Sequence, residues 1–279
     1  MPTVDVRLST GPSTVDYLRA GTGPGLVLVH GTGADGPGNW GPFIDALADR
    51  FTLIAPDLSG AGATRDAGGP ILLDDLVRQV LGAADHAGLD RFHIAGHSLG
   101  GTVATAVAGT APDRVLSLTP HAAWAKTDPW MAFQFDLWAR LTRLDPELQA
   151  RLLQFTAMGD ATLRARTEAD FEAATAGFTQ AIRAVSDGYL RQIETDLTVD
   201  ITALLPRITA PTVVISSADD RIVPPHHQRF MVEAIQGARL VEVPGGHGLP
   251  FENPELFVRT FTEVLDSHTT ASILPEPTR

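Results

Sequence analysis

The chain has 279 residues, 44% of them hydrophobic and 19% charged, with 26 glycines and 20 prolines; this fits one large globular domain, or one domain carrying a sizeable insertion, and excludes disorder over most of the length. A net charge of −12, with no basic window, argues against nucleic acid or an anionic membrane surface as partner, and no run of about 18 apolar residues is present to span a bilayer. Cysteine is absent, which removes disulfides, thiolate metal ligands and cysteine nucleophiles together; with an N-terminal segment lacking the basic and apolar regions of a signal peptide, a cytoplasmic protein is expected.

In chain order, residues 4–8 and 14–19 read as two short strands around Gly11-Pro12, an antiparallel hairpin. Then come aliphatic or β-branched runs ending in Gly, Pro or small polar residues: Leu26-Val27-Leu28-Val29, Thr52-Leu53-Ile54-Ala55, Phe92-His93-Ile94-Ala95, Val115-Leu116-Ser117-Leu118 and Thr212-Val213-Val214-Ile215. Such runs suit parallel strands buried on both faces. Helical stretches at 43–49, 72–87 and 99–109 separate several of them, so the expected fold class is α/β, a mostly parallel, doubly wound sheet. After about residue 124 only helical periodicity is seen, with Trp130, Phe133, Leu137, Trp138, Leu141 and Leu144 at helical spacing, and then Phe171, Ala174, Phe178 and Ile182. We read residues 125–206 as an inserted helical cap on a body made of 1–124 and 207–267. A last strand at 239–243, a last helix at 255–265 and a loose tail at 268–279 complete the pattern.

The strongest chemical signal is Gly96-His97-Ser98-Leu99-Gly100, because it joins a predicted strand to a predicted helix. A serine in so sharp a turn has its hydroxyl held out above the sheet, and the glycines two residues away prevent collisions. The N-H of Leu99, at the start of the next helix, faces whatever the serine attacks. A serine hydroxyl needs a base, and of nine histidines His247, in Pro244-Gly245-Gly246-His247-Gly248 after the last strand, is best placed. The others have blander roles: His93 in a strand, His86 in a helix, His226 and His227 at a helix start, His268 in the tail, and His30 holding a loop. His97 must point away from Ser98, and His121 is expected to line the pocket.

A carboxylate should orient His247. Asp219 and Asp220, just past a strand, are adjacent and point in different directions, so one orients and the other caps the turn; Asp128 is a weaker candidate. A second oxyanion donor should come from His30-Gly31-Thr32-Gly33, whose small residues let the N-H of Thr32 approach a substrate oxygen. Trp124, Trp130 and Phe133 at the start of the cap would give an apolar lining beside His30, Gly31, Gly33, His97 and His121. A small, largely apolar substrate is expected, no metal or organic cofactor is implied, and a homo-oligomer packed through the cap stays open.

With these residues in place the sequence resembles the α/β-hydrolase superfamily, in its branch of esterase- and lipase-like, proline iminopeptidase-like and C–C-bond hydrolases. The marks are the His30-Gly31 loop, Asp57-Leu58-Ser59-Gly60-Ala61-Gly62, the serine elbow, Asp220 to Pro224 as Asp-x-x-Val-Pro, and Gly246-His247. The resemblance implies the order Ser98, Asp220, His247, with Asp220 as the acid, and a helical cap between strands. It implies hydrolysis of an ester, thioester or lactone through an acyl-enzyme, with C–C hydrolysis, lyase or cyclase chemistry and cofactor-free oxidation as alternatives on the same residues. Ala61 and Ala63-Thr64 depart from the family's usual bulky residue and serine. Two readings of other classes remain: a ligand-binding protein without turnover, and a nicotinamide dinucleotide site at Gly31-Thr32-Gly33-Ala34-Asp35-Gly36 with Asp57 as the ribose acid. Against the latter, Pro37 and Gly38 should interrupt the helix that would hold the pyrophosphate.

Overall fold

The computed structural model describes residues 1–271. Among these, nine strands share one sheet: β1 (Thr3–Leu8), β2 (Gly11–Ala20), β3 (Gly25–Val29), β4 (Thr52–Pro56), β5 (Arg65–Asp66), β6 (Phe92–His97), β7 (Val115–His121), β8 (Val213–Ser217) and β9 (Arg239–Val243). Their order is β1-β2-β4-β3-β6-β7-β8-β9, with β5 beside β2 and off this path. β1 and β2 form the expected antiparallel hairpin, setting Thr3 against Asp16 and Leu8 against Gly11. β2 is antiparallel to β4 as well, and every pairing from β4 to β9 is parallel. The sheet is therefore mixed but mostly parallel.

Helices cover both faces, which is why β3 is buried at every position. Its alternate residues feed two cores. Val27 and Val29 join Leu76, Val80, Val103 and Val107 from α2 (Leu73–His86) and α3 (Leu99–Thr110). Leu26 and Leu28 join Trp40, Phe43, Phe257 and Phe261 from α1 (Gly36–Leu47) and α11 (Pro254–Ala271). Trp40 meets Phe43, Phe257 and Phe261 at ring separations of 5.5, 5.3 and 5.4 Å. Truncating such a buried ring typically costs about 3–5 kcal/mol.

One helix start differs from expectation. α1 begins at Gly36 and runs through Pro37 and Gly38, seven residues earlier than the apolar periodicity places it. Asp35 caps it, accepting the N-H of Gly38 at 2.6 Å. Proline is tolerated in a first turn because the N-H it lacks would have no helical partner there.

Between β7 and β8 the chain forms five helices, α4 (Pro129–Leu144), α5 (Pro146–Ala157), α6 (Asp160–Ala165), α7 (Glu168–Ala184) and α8 (Ser186–Asp196). The insertion is pinched at its neck, where the N-H of Ile201 donates to the Ala125 carbonyl at 2.7 Å and that of Thr127 to Val199 at 3.0 Å. The return segment Thr202–Arg207 is a 3-10 turn packed on α3. In the body, α9 (His226–Ala234) follows β8, and α10 (Leu249–Glu252) follows β9. α11 continues to Ala271 with His268 buried, so the ordered helix passes the expected start of the tail at 268; residues 272–279 of that tail lie outside the described residues.

Candidate active site

Ser98 sits between β6 and α3 with φ 56° and ψ −125°, a backbone conformation that costs a non-glycine residue strain. The tightness of the turn explains its glycines. A Cβ on Gly96 would lie 2.2 Å from the carbonyl oxygen of Gly100, and one on Gly100 would lie 2.2 Å from that of Val29. The elbow is tied to the next strand by the Ser98 N-H, which donates to the His121 carbonyl at 2.9 Å.

Three side chains from separate loops meet here. The Nε2 of His247 is 2.9 Å from Ser98 Oγ, and its Nδ1 is 2.8 Å from Asp220 Oδ2. The other Asp220 oxygen accepts two backbone hydrogens, from Ile222 at 2.9 Å and Val223 at 2.8 Å. Those two bonds fix the carboxylate plane and leave Oδ2 for the imidazole. Asp219 turns elsewhere: its carboxylate accepts the N-H of Asp160, at the start of α6, at 3.1 Å. It is thus a tie to the inserted helices rather than a cap on its own turn. Asp128 instead caps α4, accepting the Met131 N-H at 2.8 Å.

The loop after β3 is held from several sides. His30 is fully buried; its Nδ1 is 2.8 Å from the Gly31 carbonyl and its Nε2 accepts the N-H of Leu58 at 2.9 Å. Burial lowers its pKa, keeping the ring neutral as this pairing needs. The N-H of Gly31 donates to Asn39 Oδ1 at 2.9 Å, that of Gly33 to Gln192 Oε1 at 2.8 Å, and that of Ala34 to the Gly31 carbonyl at 3.2 Å. The amides of Gly31, Gly33 and Ala34 are thus engaged within the protein. The Thr32 hydroxyl donates to Asp196 Oδ2 at 2.8 Å. Asp196 is buried, its Oδ1 has no partner among the described residues, and burial pushes its pKa up to about 8.

A cavity of about 340 Å³ opens over Ser98 and His247, bounded by Gly31, Thr32 and Gly33, by His97, and by Trp138, Met158, Phe178, Ile182, Tyr189 and Phe251. Five of the expected lining residues lie elsewhere. His30 is behind its loop, as above. His121 is fully buried beneath His97, its ring stacked 5.2 Å away and its Nε2 2.9 Å from Ser217 Oγ. Trp130 and Phe133 are 58% and 74% exposed on the outside of α4. Trp124 is also not a lining residue: it is buried under the inserted helices, against Phe135, with its Nε1 donating to Thr127 Oγ1. The periodicity of α4 was legible but its phase was not. Met131, Phe135, Trp138 and Ala139 form the inward stripe, and Trp138, not Trp124, reaches the cavity.

The sequence pattern does not single out Asn39, Gln192 and Asp196, which hold the loop after β3 in place. As polar residues on helices they carry the ordinary signature of a solvated face. The rings behind the site are neutral. Burial holds His97 down to about 3 and His121 well below the usual imidazole range. The dinucleotide reading does not fit this geometry: Asp57, the acid it needs, is buried and spends its oxygens on the N-H groups of Gly36 and Ala63. The first-turn amides it would use on α1 are likewise engaged, by Asp57 and Asp35.

A mixed, mostly parallel sheet, a strained serine elbow and a block of helices roofing the cavity define an α/β-fold hydrolase. The chain belongs to the α/β-hydrolase fold family, whose model matches residues 24–254. It is 35% identical over 253 residues to the pyrrolizixenacetamide deacetylase of Xenorhabdus hominickii, covering 90% of this chain and 94% of that one. It is 32% identical over 256 residues to the RutD protein of Azorhizobium caulinodans, provisionally named a carbamate hydrolase, covering 88% and 93%. Among solved structures, a thermophilic esterase from Thermogutta terrifontis superposes with a TM-score of 0.82 at 26% identity, covering 96% of this chain and 99% of the esterase.

Proposed function

We propose that the chain is a serine hydrolase that cleaves a carboxylic ester or related acyl bond of a small, uncharged, largely apolar compound through an acyl-enzyme on Ser98. The carrying observation is the contact chain Ser98 Oγ, His247, Asp220 Oδ2, at 2.9 and 2.8 Å, on the floor of an apolar cavity. In this reading Ser98 Oγ attacks the carbonyl carbon while His247 Nε2 takes its proton, and Asp220 holds the tautomer and balances the imidazolium. The carbonyl electron pair moves to oxygen, toward the N-H groups of Thr32 and Leu99. Each such donor is typically worth about 3–4 kcal/mol in the transition state. The tetrahedral intermediate collapses, His247 hands the proton to the leaving group, and a water activated by the same imidazole releases the acid.

The lining supports an uncharged substrate: its described residues include neither lysine nor arginine that could pair with a carboxylate or phosphate. The related proteins named for deacetylation and carbamate hydrolysis support a second version, with nitrogen as the leaving atom. The chemistry is then the same until collapse, where protonation by His247 becomes more demanding because an amide nitrogen leaves poorly unprotonated.

A fluorophosphonate probe tests the nucleophile, and turnover of matched p-nitrophenyl acetate, acetanilide and aryl carbamate tests the bond. Stoichiometric labelling of Ser98, lost in Ser98→Ala, is expected, together with an initial burst of p-nitrophenol. A folded wild-type protein that stays unlabelled would favour a binding protein and overturn the proposal. Labelling without turnover of any acyl substrate would move the chain to the lyase, C–C-cleaving or oxidative alternatives.

A further inference from the structure

Away from Ser98, three potential metal ligands converge where the inserted helices meet the body. Asp128 caps α4, the first inserted helix, and uses one oxygen, Oδ1, for the N-H of Met131. Its other oxygen, Oδ2, faces two imidazoles at the start of α9: His226 Nε2 at 3.5 Å and His227 Nε2 at 3.3 Å. The three donor atoms all lie within 4.8 Å of one another.

Hydrogen bonding does not account for this group. His227 is buried, with 7% of its surface exposed, yet its Nε2 has no hydrogen-bond partner among the described residues. A contact at 3.3 Å without alignment satisfies little of that nitrogen's need, and an orphaned buried polar atom costs about 1–3 kcal/mol. The spacing has a different match. Bonds of about 2.0–2.1 Å to one shared ion set ligand-to-ligand edges of about 3.0–3.3 Å, close to the 3.3 and 3.5 Å that separate Asp128 Oδ2 from the two imidazole nitrogens. His226 is half exposed, which leaves room for a water in the fourth position.

We propose that Asp128, His226 and His227 form a binding site for a single zinc-class divalent cation, completed by water, that staples the cap to the body. Two imidazoles and a carboxylate are a borderline donor set suited to Zn²⁺, and three protein ligands plus water are its usual open arrangement. One ligand comes from the loop entering the cap and two from the body, so the ion bridges the two. The site is independent of the acyl chemistry proposed for Ser98.

The experiment uses the full chain, stripped with a chelator and dialysed, and titrated with Zn²⁺ alone by calorimetry. One equivalent should bind, and loading should raise Tm. The Co²⁺-loaded protein should show the intense visible absorption of a four-coordinate ion. His226→Gln is the decisive variant, because an exposed side chain can be changed without disturbing the fold; at least tenfold weaker binding and loss of the Tm shift are expected. His247→Ala controls for capture of the ion beside Ser98 and should bind as wild type. No binding, equal binding by His226→Gln, or binding lost only in His247→Ala would each overturn the proposal.

Discussion

Asp220 presents one oxygen to His247 Nδ1 at 2.8 Å while its other oxygen is held by two backbone N-H groups, and its side chain is wholly buried. Its neighbour Asp219 holds the α6 amide of Asp160 instead. The two adjacent carboxylates therefore carry unequal weight. Asp220→Asn should lower kcat by on the order of 10⁴, because an amide in that position favours the wrong imidazole tautomer. Asp219→Asn should leave kcat within about threefold, with any loss in cap docking, since only a single half-exposed hydrogen bond is altered. Steady-state kinetics on one ester substrate decides between them, and the reverse ranking would sink the assignment.

His97 ties the serine elbow to the histidine loop. Its Nε2 lies 3.0 Å from the His247 carbonyl oxygen, and its Nδ1 lies 3.1 Å from Asn39 Oδ1, the same atom that receives the Gly31 N-H. Removing the ring in His97→Ala frees the His247 loop and loosens the loop after β3 together. Small displacements of this kind cost up to about 100-fold in rate. We expect kcat to fall about 10- to 100-fold with KM changed much less, because the cavity walls from the inserted helices stay in place. A pure rise in KM would mean that His97 contacts substrate rather than positioning its neighbours.

The body of the molecule was legible because its elements agree locally and globally. Aliphatic runs such as Leu26 to Val29 could only be double-covered strands, and Gly96 and Gly100 report a turn with no space for a side chain. The meeting of Ser98 and His247 follows once both lie beyond strand ends on one edge. The inserted helices were less readable. Periodicity says which residues share a side of a helix, not which side faces in, so Trp130 and Phe133 were expected in the cavity and stand in solvent. Polar residues were the other blind spot: Gln192 and Asp196 are buried where the loop after β3 supplies their partners from more than 150 positions away. His121 shows the same limit, since nothing local reveals that His97 lies between it and the cavity.

Gly188 and Gly60 set how closely α8 approaches the loop after β4. A Cβ on Gly188 would come 1.9 Å from the Gly60 carbonyl oxygen, and one on Gly60 would meet Gly188 at 2.8 Å. Backbone packed against backbone cannot yield as a flexible side chain does, so Gly188→Ala must push the helix outward. Overpacking of this order costs about 1–3 kcal/mol, or a Tm lower by roughly 2–5 °C for a chain of this size. Because Tyr189, Gln192 and Asp196 ride on the same helix, activity should fall as well. An unchanged Tm in a calorimetric scan would show that α8 is not held at this contact.

Asp196 makes stability depend on pH in a direction opposite to that of an ordinary salt-bridged carboxylate. Burial pushes its pKa up to about 8 in the folded chain, from an ordinary aspartate value of about 4. Below about 4 the group is protonated in both states and its effect is constant. Between about 4 and 8 the folded chain keeps the proton and the unfolded chain has lost it, so unfolding releases a proton and stability falls as pH rises. The slope is about 1.4 kcal/mol per pH unit at most, and it flattens above about 8, where both states are ionised. Asp196→Asn keeps a neutral group of the same shape beside Thr32 and removes the titration. Urea unfolding at pH 5, 6, 7 and 8 should therefore show the variant gaining on wild type at each step. The rate should respond too: an ionised Asp196, bonded to the Thr32 hydroxyl at 2.8 Å, opposes a negative oxygen forming at the Thr32 N-H. An alkaline fall in kcat near pH 8 is expected in wild type and should be missing from the variant. Parallel stability curves and identical pH profiles would mean that Asp196 is ionised throughout, and that its contact with Thr32 is a charged one.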